Sequence, residues 1–422
     1  MQNFYKYPKS RWMMLGLFML LTIVIELQWL THAPIARVAN IFYGDQLNRT
    51  EWLNIDSIAL VYMFVFIIMC LPASYIIDTY GIRKALGLGA ILTAAGAVIK
   101  GFGAESLTLV FTGQFFLALA QPFILNSVTA FSVRWFAINE RAIVAGLLAL
   151  AQYIGILLAM VLTPLLVESS AESVHYGNGI DSMLMIYMIP SVISAVLFLI
   201  FFKEQPGDLP FDIGHERLNF KEGILNMFRL KDALLVLFLF TIGLGIFNSI
   251  STLVDHIAAN LNITDSDGYI GGVMLIGGII GALIIPFLSD HYRKRKLFLV
   301  LCMIIFIPSI FGLAFAGEIS EYFQLSVQST YDLALISSFL LGLSIMSAGP
   351  IVFQYTAEIT APTPEATSQG ILLLAGQISG IVMVSIMTLN KNQYLDPMMK
   401  IFVILSVFGF IAVLLLKESD ID

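Results

Sequence analysis

A carboxylate and an indole stand close together in the first apolar run of the chain, in the stretch IVIELQWL (23–30). Glu26 and Trp29 are three residues apart, so a helix would place them on one face, one turn apart. A carboxylate at membrane depth costs roughly 2.5 kcal/mol or more if it faces lipid, so Glu26 should face a protein interior or a cavity. A bound cation would offset its charge, and the indole face would add roughly 0.5–2 kcal/mol of attraction. The pair predicts a cation-binding cavity; the alternative is that Glu26 bonds a neighbouring helix or stays protonated while Trp29 only packs.

Polar side chains recur in the later apolar runs. The fourth run carries Gln114 and Gln121, and the fifth carries Gln152. The seventh carries Asn248, Ser251, Thr252 and Asp255, and the eleventh carries Gln377. Such residues could orient a polar ligand, although a single amide at this depth often only joins two helices. Asp255 and His32 lie near the ends of their runs, where water can reach them. Together with Glu26 they are the candidates for carrying a coupled proton.

The composition of the chain indicates which secondary structure carries these residues. Apolar residues make up 58% of the 422 and charged residues only 12%, whereas a soluble domain averages about 25% charged. Twelve runs approach or exceed the roughly 20 residues that span hydrocarbon: 12–36, 55–77, 85–103, 106–132, 142–167, 181–202, 233–258, 268–288, 297–317, 332–355, 367–389 and 398–416. The longest polar connection, about 203–232, separates the sixth run from the seventh. This pattern predicts an all-α polytopic membrane protein with twelve transmembrane helices.

Several chemistries lack their motifs. The chain contains no GxxxxGK[ST], HExxH, CxxC or GxSxG pattern, so an ATP motor, a metal site and an enzyme are not expected. Cys70 and Cys302 both lie inside apolar runs, which argues against a disulfide framework. No cofactor is expected, and a small-molecule substrate and the lipid bilayer are the expected partners.

The positions of Lys and Arg predict the orientation in the membrane. If both termini are cytoplasmic, all but five of the 22 basic residues fall on the cytoplasmic side; the five are Arg37, Arg49, Lys100, Lys391 and Lys400. The net charge of −7 lies largely in loops and does not indicate a nucleic-acid partner. The short loops and compact chain favour a prokaryotic cytoplasmic membrane, and a monomer is expected.

A short motif occurs twice, at half-chain spacing. DTYGIRK (78–84) and DHYRKRK (290–296) lie 212 residues apart and keep Asp, Tyr, Arg and Lys at matching offsets. A parallel repeat of six helices each is the architecture of major facilitator superfamily transporters, and the motif resembles a loop of that superfamily. The resemblance implies an N-terminal bundle over 1–202, a linker over 203–232 and a C-terminal bundle over 233–422. It also implies a gating role for Asp78, Gly81, Arg83, Lys84, Asp290, Arg295 and Lys296.

Longer stretches resemble one branch of that superfamily. They are LQWL (27–30), DSIALVYM (56–63), LPASYIIDTYG (71–81), AVIKGFG (97–103), AQPFIL (120–125), WFAINER (135–141), SISTL (249–253) and residues 358–380. They resemble the feline leukaemia virus subgroup C receptor-related transporters, to which haem export and choline and ethanolamine transport have been assigned. The resemblance implies a quaternary-ammonium site at Trp29, Gln152, Gln377 and either Phe247 or Asn248. Glu26 stands where the animal relatives usually carry a neutral residue.

These observations predict a secondary transporter that moves a small organic cation, such as choline or ethanolamine, by alternating access. Trp29, Glu26, Gln121, Gln152, Phe247, Asn248 and Gln377 are expected to line its site. Coupling to protons (symport) and uncoupled facilitation both remain open. The alternatives are transport of haem or another porphyrin, transport of another small metabolite, and a non-transporting receptor on the same fold.

Overall fold

The computed structural model describes residues 8–47, 55–136, 141–168, 177–205, 220–261, 263, 265, 268–324, 326–363 and 365–418. Over these residues the regular structure is entirely helical. Twelve helices are long and apolar enough to cross a membrane. The prediction of an all-α polytopic membrane protein with twelve spanning helices is therefore confirmed.

The long helices are numbered α1 to α12 along the chain. Their bounds are Ser10–Trp29, Asp56–Tyr80, Ile82–Phe102, Leu107–Leu125, Arg141–Leu166, Ile180–Phe201, Lys231–Thr252, Tyr269–Tyr292, Arg295–Ala314, Val327–Thr360, Glu365–Asn392 and Leu395–Leu415. Shorter helices extend or connect them: Ala36–Phe42, Gly44–Leu47, Ser127–Trp135, Phe220–Arg229, Val254–Asn260 and Ala316–Phe323. Part of the predicted linker, residues 206–219, lies outside the described residues.

The first membrane span is broken near its middle. α1 ends at Trp29, and a 3₁₀ turn over Ala33–Ile35 leads into the helix Ala36–Phe42. The cause is Pro34, which has no N–H to donate to the carbonyl four residues earlier. The Ala33 N–H instead bonds the carbonyl of Leu30 at 3.1 Å. The break places Trp29 at the C-terminal end of a helix, where backbone carbonyls lack partners within that helix.

Helices pack mainly within each half of the chain. In the first half α3 packs against α4 and α6, and α1 packs against α5; in the second half α8 and α9 pack against α10, and α7 packs against α11. Contacts between the halves include α2 with α11 and α5 with α8. The predicted division at residues 203–232 agrees with these contacts but stays a prediction.

The two ends of the molecule can be told apart by their contacts. The backbone N–H of Lys203, after α6, donates to the sulfur of Met14 near the start of α1. The hydroxyl of Tyr355, near the end of α10, donates to the carbonyl of Lys417, after α12. These ends form one face, called here the terminal face. The opposite ends, including the start of α2 and the helix Val254–Asn260, form the far face.

Glycine lets α8 and α10 come into close contact. A Cβ at Gly277 would collide with the carbonyl of Phe339, and one at Gly281 with the carbonyl of Leu343. The same holds in reverse, because a Cβ at Gly342 on α10 would collide with the carbonyl of Met274 on α8. Small residues allow such close backbone approach between membrane helices.

We expect Gly342→Ala to destabilise the protein by about 1–3 kcal/mol, since the added methyl group forces two backbones apart. Gly349→Ala is the matched control, because that glycine lies on the same helix and a Cβ added there would have no neighbouring atom within 4 Å. The measurement is the thermal unfolding of both purified variants in detergent. Equal unfolding temperatures would contradict the close contact at Gly342.

Candidate functional site

Glu26 forms a buried pair with an amide on α4. The Gln121 side chain donates from Nε2 to Glu26 Oε1 at 3.1 Å. Glu26 is 2% exposed and Gln121 3% exposed. No Lys, Arg or His of the described residues forms an ion pair with Glu26. The site therefore holds an acidic group whose only side-chain partner in the described chain is neutral.

Trp29 packs against α2. Its indole Nε1 donates to the carbonyl of Ala59 at 3.2 Å, and its ring stacks on Tyr62 with a centroid distance of 6.4 Å. The Tyr62 hydroxyl donates to the carbonyl of Ile25 at 3.4 Å. Tyr62 is fully buried, and its ring packs against the indole of Trp29. Tyr62 was not among the predicted site residues, although it lies in the stretch DSIALVYM.

A lysine and a glutamine bind the broken end of α1. Lys100 on α3 donates from Nζ to the carbonyl of Gln28 at 3.1 Å, to Thr31 Oγ1 at 3.3 Å and to Gln114 Oε1 at 2.7 Å. Gln114 Nε2 donates to the carbonyl of Trp29 at 3.1 Å. Lys100 was placed at the outer boundary from its sequence position, but it is 1% exposed inside the first half. A cation is favourable at a helix C-terminus, which explains why Lys100 is tolerated here.

A second polar pair lies in the other half of the chain. Asn248 on α7 donates from Nδ2 to Gln377 Oε1 on α11 at 3.3 Å. Phe247, the neighbouring candidate, is 8% exposed. Gln152 on α5 is half-buried and forms no hydrogen bond with the part of the chain that the structure describes. Of the predicted site residues, the structure thus brings together Glu26 with Gln121, and Asn248 with Gln377.

The contact of α2 with α11 reaches the Asn248–Gln377 pair. A Cβ at Gly380 on α11 would lie 3.1 Å from the sulfur of Met63 on α2 and 2.9 Å from Asn248 Nδ2. Met63 follows Tyr62, the residue behind Trp29. The Asn248–Gln377 pair therefore lies at an interface between the halves, and Met63 on α2 contacts the same glycine.

A small chamber lies on the far-face side of Trp29. Its lining includes Trp29, His32, Asp56 and Thr252. Both ring nitrogens of His32, Oδ1 of Asp56 and Oγ1 of Thr252 are buried without a hydrogen-bond partner among the described residues. The chamber measures about 10 Å³, which is room for about one water molecule. Glu26 precedes Trp29 on α1, so it lies nearer the terminal face than this chamber does.

Two ion pairs join the halves on the far-face side of the chamber. Asp255 accepts from the backbone N–H and Nε of Arg37 at 2.7 and 2.8 Å. His256 Nε2 lies 3.3 Å from Asp56 Oδ1, close enough for an ion pair but without the alignment of a hydrogen bond. Asp255, predicted at the end of the seventh helix, lies instead in the separate helix Val254–Asn260. These pairs hold the two halves together at the far face.

Lowering the pH should strengthen the pairing of His256 with Asp56 at the far face. Burial lowers the pKa of His256, but the carboxylates of Asp56 and Asp255 together outweigh burial and Arg37, so the pKa is raised above 6.5. Closing the far face therefore takes up a proton, and the added stability is lost as pH rises through the raised pKa. We expect labelling of a cysteine introduced at Ala33, in a Cys70→Ser and Cys302→Ser background, to slow as pH falls from about 8 to about 6.

Labelling at an exposed reference cysteine, introduced at Glu105, corrects for the reactivity of the thiol itself at each pH. Asp56→Asn should remove most of the remaining pH dependence, since it removes the carboxylate that faces His256. The Arg37–Asp255 pair stays intact in that variant and keeps the far face partly closed. A corrected labelling rate that does not change with pH in the parent protein would contradict the role of His256.

The first copy of the repeated motif is held by a carboxylate from the end of α6. Glu204 accepts from the backbone N–H groups of Ile82 at 3.0 Å and Arg83 at 2.7 Å, and it pairs with Arg134. Gly81 adopts φ +93°, and a Cβ there would lie 2.8 Å from Glu204 Cδ. The side chains of Arg83 and Lys84 are exposed, and that of Asp78 lies outside the described residues. A carboxylate at a helix N-terminus is favourable, so Glu204 fixes the start of α3.

In the second copy a carboxylate likewise binds a backbone N–H at the start of the following helix. Glu418 accepts from the backbone N–H of Lys296 at 2.9 Å, and Arg295 pairs with Glu358 at 3.0 Å. The side chain of Asp290 lies outside the described residues. Lys417–Glu418 follows Lys203–Glu204 by 214 positions, a second repeat that could have revealed both carboxylates from the sequence. The contacts described here stay within each half, and the gating role of the motif remains a prediction.

Comparison with known sequences identifies relatives along nearly the whole chain. The chain is 26% identical over 400 residues to the uncharacterized MFS-type transporter C09D4.1 of Caenorhabditis elegans, covering 92% of this chain and 66% of that protein. It is 27% identical over 425 residues to the choline/ethanolamine transporter FLVCR1 of Felis catus, covering 97% of this chain and 73% of that protein. The resemblance to this branch that the sequence analysis predicted is confirmed.

Comparison with solved structures supports the fold. A bacterial homolog of the human lysosomal transporter Spinster, in an inward-facing and unoccupied conformation, superposes with a TM-score of 0.68 at 12% identity, covering 97% of this chain and 98% of that one. The family model of the Major Facilitator Superfamily matches residues 12–384. Members of this family are transporters rather than enzymes. The chain therefore belongs to the Major Facilitator Superfamily and is a multi-pass membrane transporter.

Proposed function

We propose that this transporter moves a small organic cation of the choline or ethanolamine class by alternating access. One observation carries the proposal: Glu26 is 2% exposed and no described basic side chain pairs with it. An ionised carboxylate away from water needs a compensating cation, because burial without one is costly. A substrate ammonium group would supply that charge, and relatives of this chain are named choline/ethanolamine transporters.

The remaining predicted site residues fit this proposal. Trp29, one turn from Glu26, offers an indole face to a cation. Gln121, Gln152, Asn248, Phe247 and Gln377 would complete the site from four other helices. In major facilitators the substrate lies near mid-membrane between the bundles, and the Asn248–Gln377 pair lies at the α2–α11 contact between the halves. Haem needs an axial ligand such as the imidazole of a histidine. His32 adjoins a chamber with room for about one water, so it offers no support for haem.

The conformation proposed for this structure is open toward the terminal face. The far face is closed by Arg37–Asp255 and by the pairing of His256 with Asp56. With the termini cytoplasmic, as the Lys and Arg positions predict, this would be the inward-facing state. The prokaryotic membrane inferred from the short loops stays a prediction.

Two energy sources are compatible with the site. If Glu26 carries a proton in one half of the cycle, a pH gradient would drive transport. If it stays ionised, the membrane potential alone would move a cation inward with about 2.3 kcal/mol per 100 mV. Asp255 is engaged by Arg37 in the closed far face, which favours a structural role over proton transfer in this state.

The test is uptake of labelled choline and labelled ethanolamine into proteoliposomes that hold the purified protein. Each is measured with no gradient, with a pH gradient and with a potassium diffusion potential, beside protein-free liposomes. We expect saturable uptake of at least one of the two compounds, and its response to the two gradients separates proton coupling from facilitation. If a monodisperse protein takes up neither compound and neither changes its thermal stability, the proposed substrate class is wrong.

A further inference from the structure

Gln121 has one hydrogen-bonding atom left over. Its Nε2 is used on Glu26 at 3.1 Å, while its Oε1 is buried without a partner among the described residues. A buried acceptor without a donor is costly, so something that donates a hydrogen bond is expected to reach it. This unpaired oxygen lies on the side chain that already contacts the proposed cation-binding carboxylate.

The indole of Trp29 and the hydroxyl of Tyr62 already have acceptors among the described residues. Trp29 donates its indole N–H to the carbonyl of Ala59, and Tyr62 donates its hydroxyl to the carbonyl of Ile25. Gln121 donates one of its two amide N–H groups to Glu26. Besides the second amide N–H, the groups that remain available at Glu26 and Gln121 are acceptors: a carboxylate, which accepts through both oxygens, and an amide carbonyl oxygen.

The acceptor oxygens of Glu26 and Gln121 would distinguish a primary ammonium from a quaternary ammonium. A primary ammonium carries three N–H donors and can bond both Glu26 and Gln121 Oε1 while its charge is neutralised. A quaternary ammonium has no N–H, so it can rest against the indole but leaves both oxygens without donors. A site built to bond N–H groups discriminates strongly against an analogue that lacks them.

We infer that the Glu26–Gln121 pair makes this transporter selective for cations that carry N–H groups, with a primary amine such as ethanolamine preferred over a quaternary amine such as choline. The selectivity rests on the proposed function, since it assigns the substrate class within the same site. It would arise from hydrogen bonding and not from charge, because both kinds of ligand carry a single positive charge.

Competition with a methylation series tests the inference. The protein in proteoliposomes is given labelled ethanolamine, and separately labelled choline, with unlabelled ethanolamine, N-methylethanolamine, N,N-dimethylethanolamine or choline as competitors. These four share one hydroxyethyl chain and differ by one N–H at each step. We expect the inhibitory concentration to rise along the series, by about tenfold or more from ethanolamine to choline.

The variant Gln121→Leu removes the unpaired oxygen and should bring the choline and ethanolamine values closer together. Gln328→Leu is the matched control: that glutamine is exposed and bonded to Asp332, so the ratio should stay at its parent value. If Gln121→Leu does not fold, the methylation series on the parent protein still tests the selectivity. Choline competing as well as ethanolamine, or better, would overturn the selectivity and leave the proposed function standing; neither label entering would overturn the proposed function itself.

Discussion

Glu26→Gln is expected to reduce cation uptake by roughly 30-fold or more. Glutamine keeps the size and the hydrogen-bonding reach of the side chain but removes the charge that would compensate a bound ammonium. Losing one partner of a buried, hydrogen-bonded charge pair costs about 2–5 kcal/mol, and about 1.4 kcal/mol corresponds to a factor of ten. The measurement is the initial rate of ethanolamine or choline uptake against concentration, which separates the maximal rate from the apparent affinity.

Glu105→Gln is the control for this substitution. It makes the same chemical change at an exposed carboxylate near the far face, and uptake should stay within twofold of the parent protein. Glu26→Asp keeps the charge on a shorter arm and should retain part of the activity. Full activity in Glu26→Gln, with the variant monodisperse and equally stable, would remove Glu26 from the substrate site.

The same variant also separates substrate binding from proton coupling. If Glu26 carries the coupled proton, the glutamine variant loses its response to a pH gradient but still exchanges internal for external substrate when no gradient is present. If Glu26 only compensates the substrate charge, exchange and gradient-driven uptake fall together. Counterflow measured beside net uptake distinguishes the two outcomes.

The fold was largely predictable because its signal is local. An apolar run of about 20 residues has few ways to satisfy its backbone in a membrane other than as a helix, so the twelve runs identified the twelve helices. The repeat of DTYGIRK and DHYRKRK added the relation between the halves. The end of α1 at Trp29 was also readable in principle, since Pro34 cannot donate the hydrogen bond that would continue the helix.

The partners within the site were less predictable because they depend on tertiary contacts. Glu26 and Gln121 were both candidates, but nothing local says that two side chains 95 positions apart are bonded. The Arg37–Asp255 pair joins residues 218 positions apart. Lys100 shows the same limit: its sequence position suggested a residue facing the outer boundary, whereas its partners lie inside the first half.

Because Lys100 is buried, we expect the loss of its partner Gln114 to destabilise the protein more than the loss of Lys100 itself. Gln114→Leu is expected to cost about 3–5 kcal/mol, because it removes the shortest bond to a buried ammonium and leaves that charge poorly compensated. Lys100→Met should cost less, about 1–3 kcal/mol, since it removes a charge that is itself expensive to bury and leaves mainly Gln114 Oε1 without a donor. The double variant should therefore be more stable than Gln114→Leu alone.

The measurement is a double-mutant cycle on thermal or denaturant unfolding in detergent. We expect a coupling energy of about 2 kcal/mol or more between Lys100 and Gln114, in contrast to separated residues, whose effects add. Lys400→Met is the control, because that lysine is about one-third exposed and pairs with Glu318 and Asp396 at the surface, where ion pairs contribute about 0–1 kcal/mol. Additive single effects would mean that the bond between Lys100 and Gln114 contributes nothing measurable to stability. In that case the end of α1, and with it Trp29, would be held by the Gln114 bond to the Trp29 carbonyl and by packing, without help from the Lys100–Gln114 bond.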